Sequence, residues 1–167
     1  KDINIYNANG IEPLPIIGYV FNNLYTQGLT DNMPCNFSNF ENYKIAFGNY
    51  VYYTVLHFKG RVKYYEIINE PNSAFCNERG NKWEGSVEGA IMYGEVLKEA
   101  YIRAKQADPN VKIVMAGMGT WDGLINNWYK TLYLYWFNKY FDILGTHPYY
   151  NLKNPFLNPQ TTIDYIN

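Results

Sequence analysis

Apolar positions along this chain follow two rhythms. Dense runs rich in β-branched and aromatic residues at 11–19 (IEPLPIIGY), 62–70 (VKYYEIINE), 111–117 (VKIVMAG) and 141–147 (FDILGTH) predict four strands. Between them the spacing relaxes to three and four. Phe40, Tyr43, Phe47, Tyr50, Val51, Thr54 and Phe58 predict a helix that Gly60 closes, with Ser38 and Glu41 as a capping box at its start. A second helix over 86–107 carries Val87, Ala90, Ile91, Gly94, Leu97, Tyr101 and Ala104 on one face. Glu84 and Glu88 open it, Arg103 and Lys105 close it as the helix dipole prefers, and Asp108-Pro109 stops it. A third helix over 123–140 sets Ile125, Trp128, Tyr129, Leu132, Tyr135 and Trp136 on one side. The first nine residues read as a helix tail closed by Gly10, and Thr161 opens a further helix. Pro13 and Pro15 donate no ladder hydrogen bond, so they belong at the start of the first strand or at a bulge.

Strict alternation of strand and helix implies parallel strands joined by crossover helices, in a doubly wound sheet or a (β/α) barrel. Four units are too few to close an eight-stranded barrel, which takes about 250 residues. The expectation is an α/β chain that forms, over 1–167, a segment of one larger barrel. It is incomplete at both ends, and further sequence or another chain supplies the remainder.

Composition narrows the partners. With 47 % hydrophobic and 17 % charged residues the chain is a folded one, and a net charge of -1 offers no footprint for nucleic acid or anionic membranes. No run of eighteen apolar residues spans a bilayer. Two histidines and two cysteines fit no metal motif, so no cofactor is expected; Cys35 and Cys76 are read equally well as a disulfide or as two thiols. The 18 tyrosines suit a surface that binds polar rings, although the plainer reading is that they replace Phe and Leu on helix faces.

In both parallel architectures chemistry collects where strands end. The four ends are Gly18-Tyr19, Asn69-Glu70-Pro71, Gly117 to Trp121, and His147-Pro148-Tyr149. Together they offer a carboxylic acid, an amide, an imidazole, phenols and an indole, the polar groups and aromatic plates that a sugar ring needs. No glycine-rich phosphate loop follows a strand and no GxSxG elbow is present, which argues against nucleotide binding and α/β-hydrolase chemistry. Glu66 shares strand parity with Glu70 and points toward the barrel interior; it is read as a structural carboxylate that needs a cationic partner.

"YYEIINEPN", followed downstream by "DILGTHPYYN", resembles the fourth and sixth strands of the retaining glycoside hydrolases of clan A. These include the cellulase-like family 5 and the xylosidase-type family 39, and share a (β/α)8 TIM barrel. The resemblance runs from the third strand through the sixth. It implies Glu70 as general acid/base, Asn69 as hydrogen-bond partner of the sugar 2-hydroxyl, and His147 and Tyr149 as residues lining the sugar site. Trp121 and Tyr19 fall where such enzymes contact substrate. A retaining glycosidase sets its two carboxyls roughly 5–5.5 Å apart, one to protonate the leaving oxygen and one to attack the anomeric carbon. In this clan the attacking Glu ends strand seven, beyond this sequence, and Glu12, Glu78 and Asp122 do not stand in its place.

The function expected is a retaining O-glycoside hydrolase acting on a poly- or oligosaccharide. The alternative is a non-catalytic carbohydrate-binding or structural surface protein on the same scaffold. Polysaccharide substrates imply an extracellular or cell-surface setting, with Asn36-Phe37-Ser38 as one glycosylation sequon. Two geometric expectations follow. The four strands are adjacent, parallel and in sequence order, and Glu70, Asn69, His147 and Tyr149 converge at their C-terminal ends.

Overall fold

The computed structural model describes residues 2–18, 40–74, 87–119 and 125–147. In chain order the elements are α1 (Asp2–Ala8), β1 (Ile16–Ile17), α2 (Phe40–His57), β2 (Tyr64–Ile67), α3 (Pro71–Ala74), α4 (Val87–Ala107), β3 (Lys112–Met115), α5 (Ile125–Leu134), a 3-10 turn (Phe137–Lys139) and β4 (Ile143–Leu144). The strands form one parallel sheet in the order β1-β2-β3-β4. This is the α/β architecture expected, a parallel sheet in which each strand returns beside its predecessor through a helical connection, as in a segment of a (β/α) barrel.

Proline chemistry explains why β1 is short. Its ladder begins only past Pro15, whose carbonyl accepts the Glu66 N–H at 3.0 Å, and Ile17 O accepts the Ile68 N–H at 2.9 Å. Register then sorts the side chains into two rows. Ile17, Ile67, Met115 and Leu144 share one row, and the first three are buried among the helices. Ile16, Glu66, Val114 and Ile143 share the opposite row. There the central pair is buried, while Ile16 at 46 % and Ile143 at 39 % lie exposed on the two outer strands.

The core is the sandwich of the first row with α2 and α4. Phe47, Val51 and Val55 come from α2; Tyr93, Val96, Leu97 and Ala100 come from α4. Alanine and glycine at the α4 contact let the helices approach closely. Of the expected α4 face, Ala90, Gly94, Leu97 and Ala104 are buried, but Val87 is exposed and Ile91 and Tyr101 are only half-buried, while Gly89, Met92, Tyr93, Val96 and Ala100 are buried beside them. A helix covered by the sheet, α2 and α5 buries a broader arc than one stripe. Tyr50 of α2 is likewise exposed at 44 %.

The helix expected over 123–140 also breaks early. α5 ends at Leu134, Trp136 turns left-handed at φ 65°, and Phe137 starts a 3-10 turn that buries its ring. Trp128 and Leu132 are fully buried as expected, but Tyr135 and Trp136 lie 53 % and 66 % exposed. Helix ends elsewhere follow the sequence. Gly10 and Gly60 adopt φ 71° and 74° just past α1 and α2, and Asp108 caps the turn after α4 by accepting the Asn110 N–H at 3.0 Å. Ser38, the expected helix start at Thr161, the loop bearing Cys35 and Asn36, and Cys76 lie outside the described residues.

Candidate active site

The C-terminal end of β2 departs from strand geometry within three residues. Ile68 has φ 67° and Glu70 φ 46°, both left-handed, with Asn69 between them. For L-residues this region costs about 1–2 kcal/mol each, and a β-branched Ile is an outlier there. Pro71 then starts α3. Proline suits the first turn of a helix because its missing N–H is not needed there. The chain therefore turns sharply rather than continuing the strand, and packing holds the strain: Ile68 is fully buried.

This turn brings Glu70 to His147, which follows β4. His147 Nδ1 lies 3.1 Å from Glu70 Oε1, across 77 positions of sequence. Both side chains are largely buried, with 25 % and 21 % of their surface exposed. The other ring nitrogen, Nε2, lies 3.5 Å from Oε1 of Glu66. Glu66 is 6 % exposed and accepts the Gly117 N–H at 3.2 Å. One imidazole thus stands between two carboxylates from β2 and the turn after it. The partner that Glu66 faces is this histidine rather than a lysine or arginine, which sets the buried carboxylate against a residue expected at the site.

Two glycines after β3 make the space. A methyl at Gly117 would lie 2.2 Å from His147 Cδ2, and one at Gly119 would lie 3.3 Å from Glu70 Oε2. The first is a collision and the second a tight contact. Asn72, buried at 2 %, fixes this segment: its Nδ2 donates to Gly119 O and its Oδ1 accepts the Gly119 N–H, both at 2.9 Å. One side-chain amide satisfies both backbone groups of the glycine beside Glu70.

Beneath the site, α4 ties the two central strands. The Tyr93 hydroxyl donates to Ile67 O at 3.2 Å and accepts the Ala116 N–H at 2.9 Å. The strand ends that carry Glu70 and Gly117 are therefore joined through a buried phenol.

Of the residues expected at the site, Glu70 and His147 meet, and Asn69 occupies the strained turn with an exposed side chain. Tyr149, Trp121 and Tyr19 lie outside the described residues. Sequence reasoning missed Asn72, Gly117 and Gly119 as site-builders. The signals were there: Asn72 follows the Glu-Pro pair, and two glycines flank Met118 at a strand end. Among the described residues no group of three or more His, Cys, Asp and Glu could hold a metal ion, and no helix is long and apolar enough to cross a membrane.

No protein-family model and no curated protein sequence matches this chain. Solved structures do. A psychrophilic glycoside hydrolase family 10 endo-β-1,4-xylanase superposes with a TM-score of 0.59 at 18 % identity, over 99 % of this chain and 52 % of that one. A family 10 structure from Paenibacillus barcinonensis gives a TM-score of 0.63 at 18 % identity, over 98 % of this chain and 49 % of that one. The chain thus spans about half the length of these structures. The structural neighbours are of family 10 rather than of families 5 or 39. The chain has an α/β fold, a parallel sheet with helices, that matches about half of the barrel of these structures.

Proposed function

We propose that this chain carries the acid/base half of a retaining O-glycoside hydrolase site acting on a poly- or oligosaccharide, with Glu70 as the general acid/base. The observation that carries the reading is the setting of Glu70: a carboxyl at the C-terminal end of a barrel strand, in strained backbone, facing an imidazole at 3.1 Å. Strain kept at a strand end is a mark of a working site.

In this reading Glu70 donates its proton to the glycosidic oxygen as the bond to the anomeric carbon breaks, and then removes a proton from the attacking water. Asn69, exposed on the same turn, is the hydrogen-bond partner of the sugar 2-hydroxyl in this reading. The attacking carboxylate comes from the part of the barrel beyond this sequence, or from another chain. Tyr149, Trp121 and Tyr19 contribute the aromatic walls, and the setting is extracellular or the cell surface. Xylan is the first polymer to test, because one structural neighbour is described as an endo-β-1,4-xylanase.

The test is Glu70→Ala in the complete protein. Turnover of natural glycosides, whose leaving groups need protonation, falls by about 10²–10⁴-fold. Aryl glycosides with good leaving groups lose far less in the first step, and azide restores part of their turnover. Unchanged activity on natural glycosides overturns the assignment. Sugar binding without hydrolysis in the unsubstituted protein supports the carbohydrate-binding alternative instead.

A further inference from the structure

We propose that Glu66 is a positioning residue that fixes the tautomer of His147, so that the imidazole holds the proton of Glu70 in place; the mechanistic part of this rests on the glycosidase reading above. Glu66 does not itself reach substrate. It is 6 % exposed, and the oxygen facing the ring already accepts the Gly117 N–H. What it can do is act on the ring. Its Oε1 lies 3.5 Å from Nε2, long for a hydrogen bond but close for a charge in a buried setting.

Two neutral tautomers are available to His147. With the proton on Nδ1, the Nε2 lone pair would face a buried anionic oxygen, which is repulsive. With the proton on Nε2, the N–H dipole points at Glu66, and the Nδ1 lone pair is left to accept a proton from Glu70 at 3.1 Å. The three groups then share two protons. One stays on Nε2. The other lies on Glu70 or crosses to Nδ1, giving an imidazolium between two carboxylates with the same net charge. When Glu70 delivers its proton to a leaving oxygen, the Nε2 proton is not released, and the proton recovered from water returns to Glu70.

Among the described residues, the charged groups facing the ring are Glu66 from β2 and Glu70 from the turn after it; β3 presents the backbone of Gly117. Removing the Glu66 charge therefore removes what favours a proton on Nε2 over Nδ1.

The chain contains two histidines, His57 and His147, so imidazole nitrogen NMR resolves the question directly, with His57→Gln assigning the signals. In the unsubstituted protein Nε2 of His147 is expected to carry the proton of the neutral ring. In Glu66→Gln, which preserves the shape and an oxygen for the Gly117 N–H, the preference for Nε2 weakens and the share of the ring with its proton on Nδ1 rises. In the complete protein kcat on natural glycosides falls in Glu66→Gln, while turnover of aryl glycosides with good leaving groups falls far less. A proton on Nδ1 with Nε2 bare in the unsubstituted protein overturns the proposal, as does an unchanged tautomer ratio in folded Glu66→Gln. Should that variant fail to fold, the tautomer of the unsubstituted protein decides alone. If the NMR result holds but no glycosidase activity exists, the positioning role stands and the reading of the reaction falls.

Discussion

At the scale of single residues, the site is built by what is absent as much as by what is present. Gly117 has no Cβ, and the His147 ring fills the place one would take. Gly117→Ala must push the ring away from Glu66 and Glu70 or shift β4, at a cost of about 1–3 kcal/mol. Urea denaturation measures that loss. Combining it with His147→Ala recovers most of it, because the two effects share one contact and are not additive. Recovery of nothing would mean that the collision is with something other than the ring. Glu70 was legible from sequence because a carboxylate directly before a proline at a strand end is chemically conspicuous. Gly117 and Asn72 were not, since their roles are contacts to residues far along the chain, set by close approach that no local pattern encodes.

The elements were legible where periodicity was reinforced by punctuation. All four strands and their order follow from apolar runs bounded by Gly and Pro, and α2 and α4 end where glycine or Asp-Pro says they should. α5 was overextended because Tyr135 and Trp136 continue its apolar stripe, yet burying the Phe137 ring against α4 requires the backbone to break first. The faces of α4 were misjudged for a related reason: three neighbouring elements widen its buried arc. Tyr93 on that arc links elements rather than filling space. Tyr93→Phe leaves the buried Ile67 carbonyl and Ala116 N–H without the hydroxyl between them, and should cost about 1–3 kcal/mol in chemical denaturation. Amide exchange should quicken at Ala116 more than at Lys112, whose N–H donates to Lys63 O at 2.7 Å at the start of the same strand pair. Equal quickening at both would mean that the whole ladder, not its end, depends on the phenol.

Across the whole molecule, stability should fall away at both extremes of pH. Burial of Asp142 opposes its ionisation, but the Ile113 N–H at 2.8 Å and the ammonium groups of Lys105 and Lys112 outweigh that and hold its carboxyl below the usual range. A depressed folded value contributes stability above about pH 4, lost as the pH drops through the folded value. Asp142→Asn should therefore destabilise at pH 7 and converge with the unsubstituted protein near pH 2. On the alkaline side, burial pushes Tyr65 and Tyr129 up to about 12. Raised values keep their contribution below about pH 10 and surrender it as the pH climbs toward the folded values. Tyr65→Phe, which also removes a buried hydroxyl that lacks a hydrogen-bond partner, should flatten the alkaline decline in urea titrations at pH 7 and 11. The row that leaves Ile16 and Ile143 bare on the outer strands has a colloidal consequence. A parallel sheet whose first and last strands each expose a branched apolar side chain is adhesive at those two positions. The chain prepared by itself should scatter light increasingly with concentration, and lysine at position 143, two strands away from Glu66 in that row, should act as a gatekeeper that keeps the solution clear.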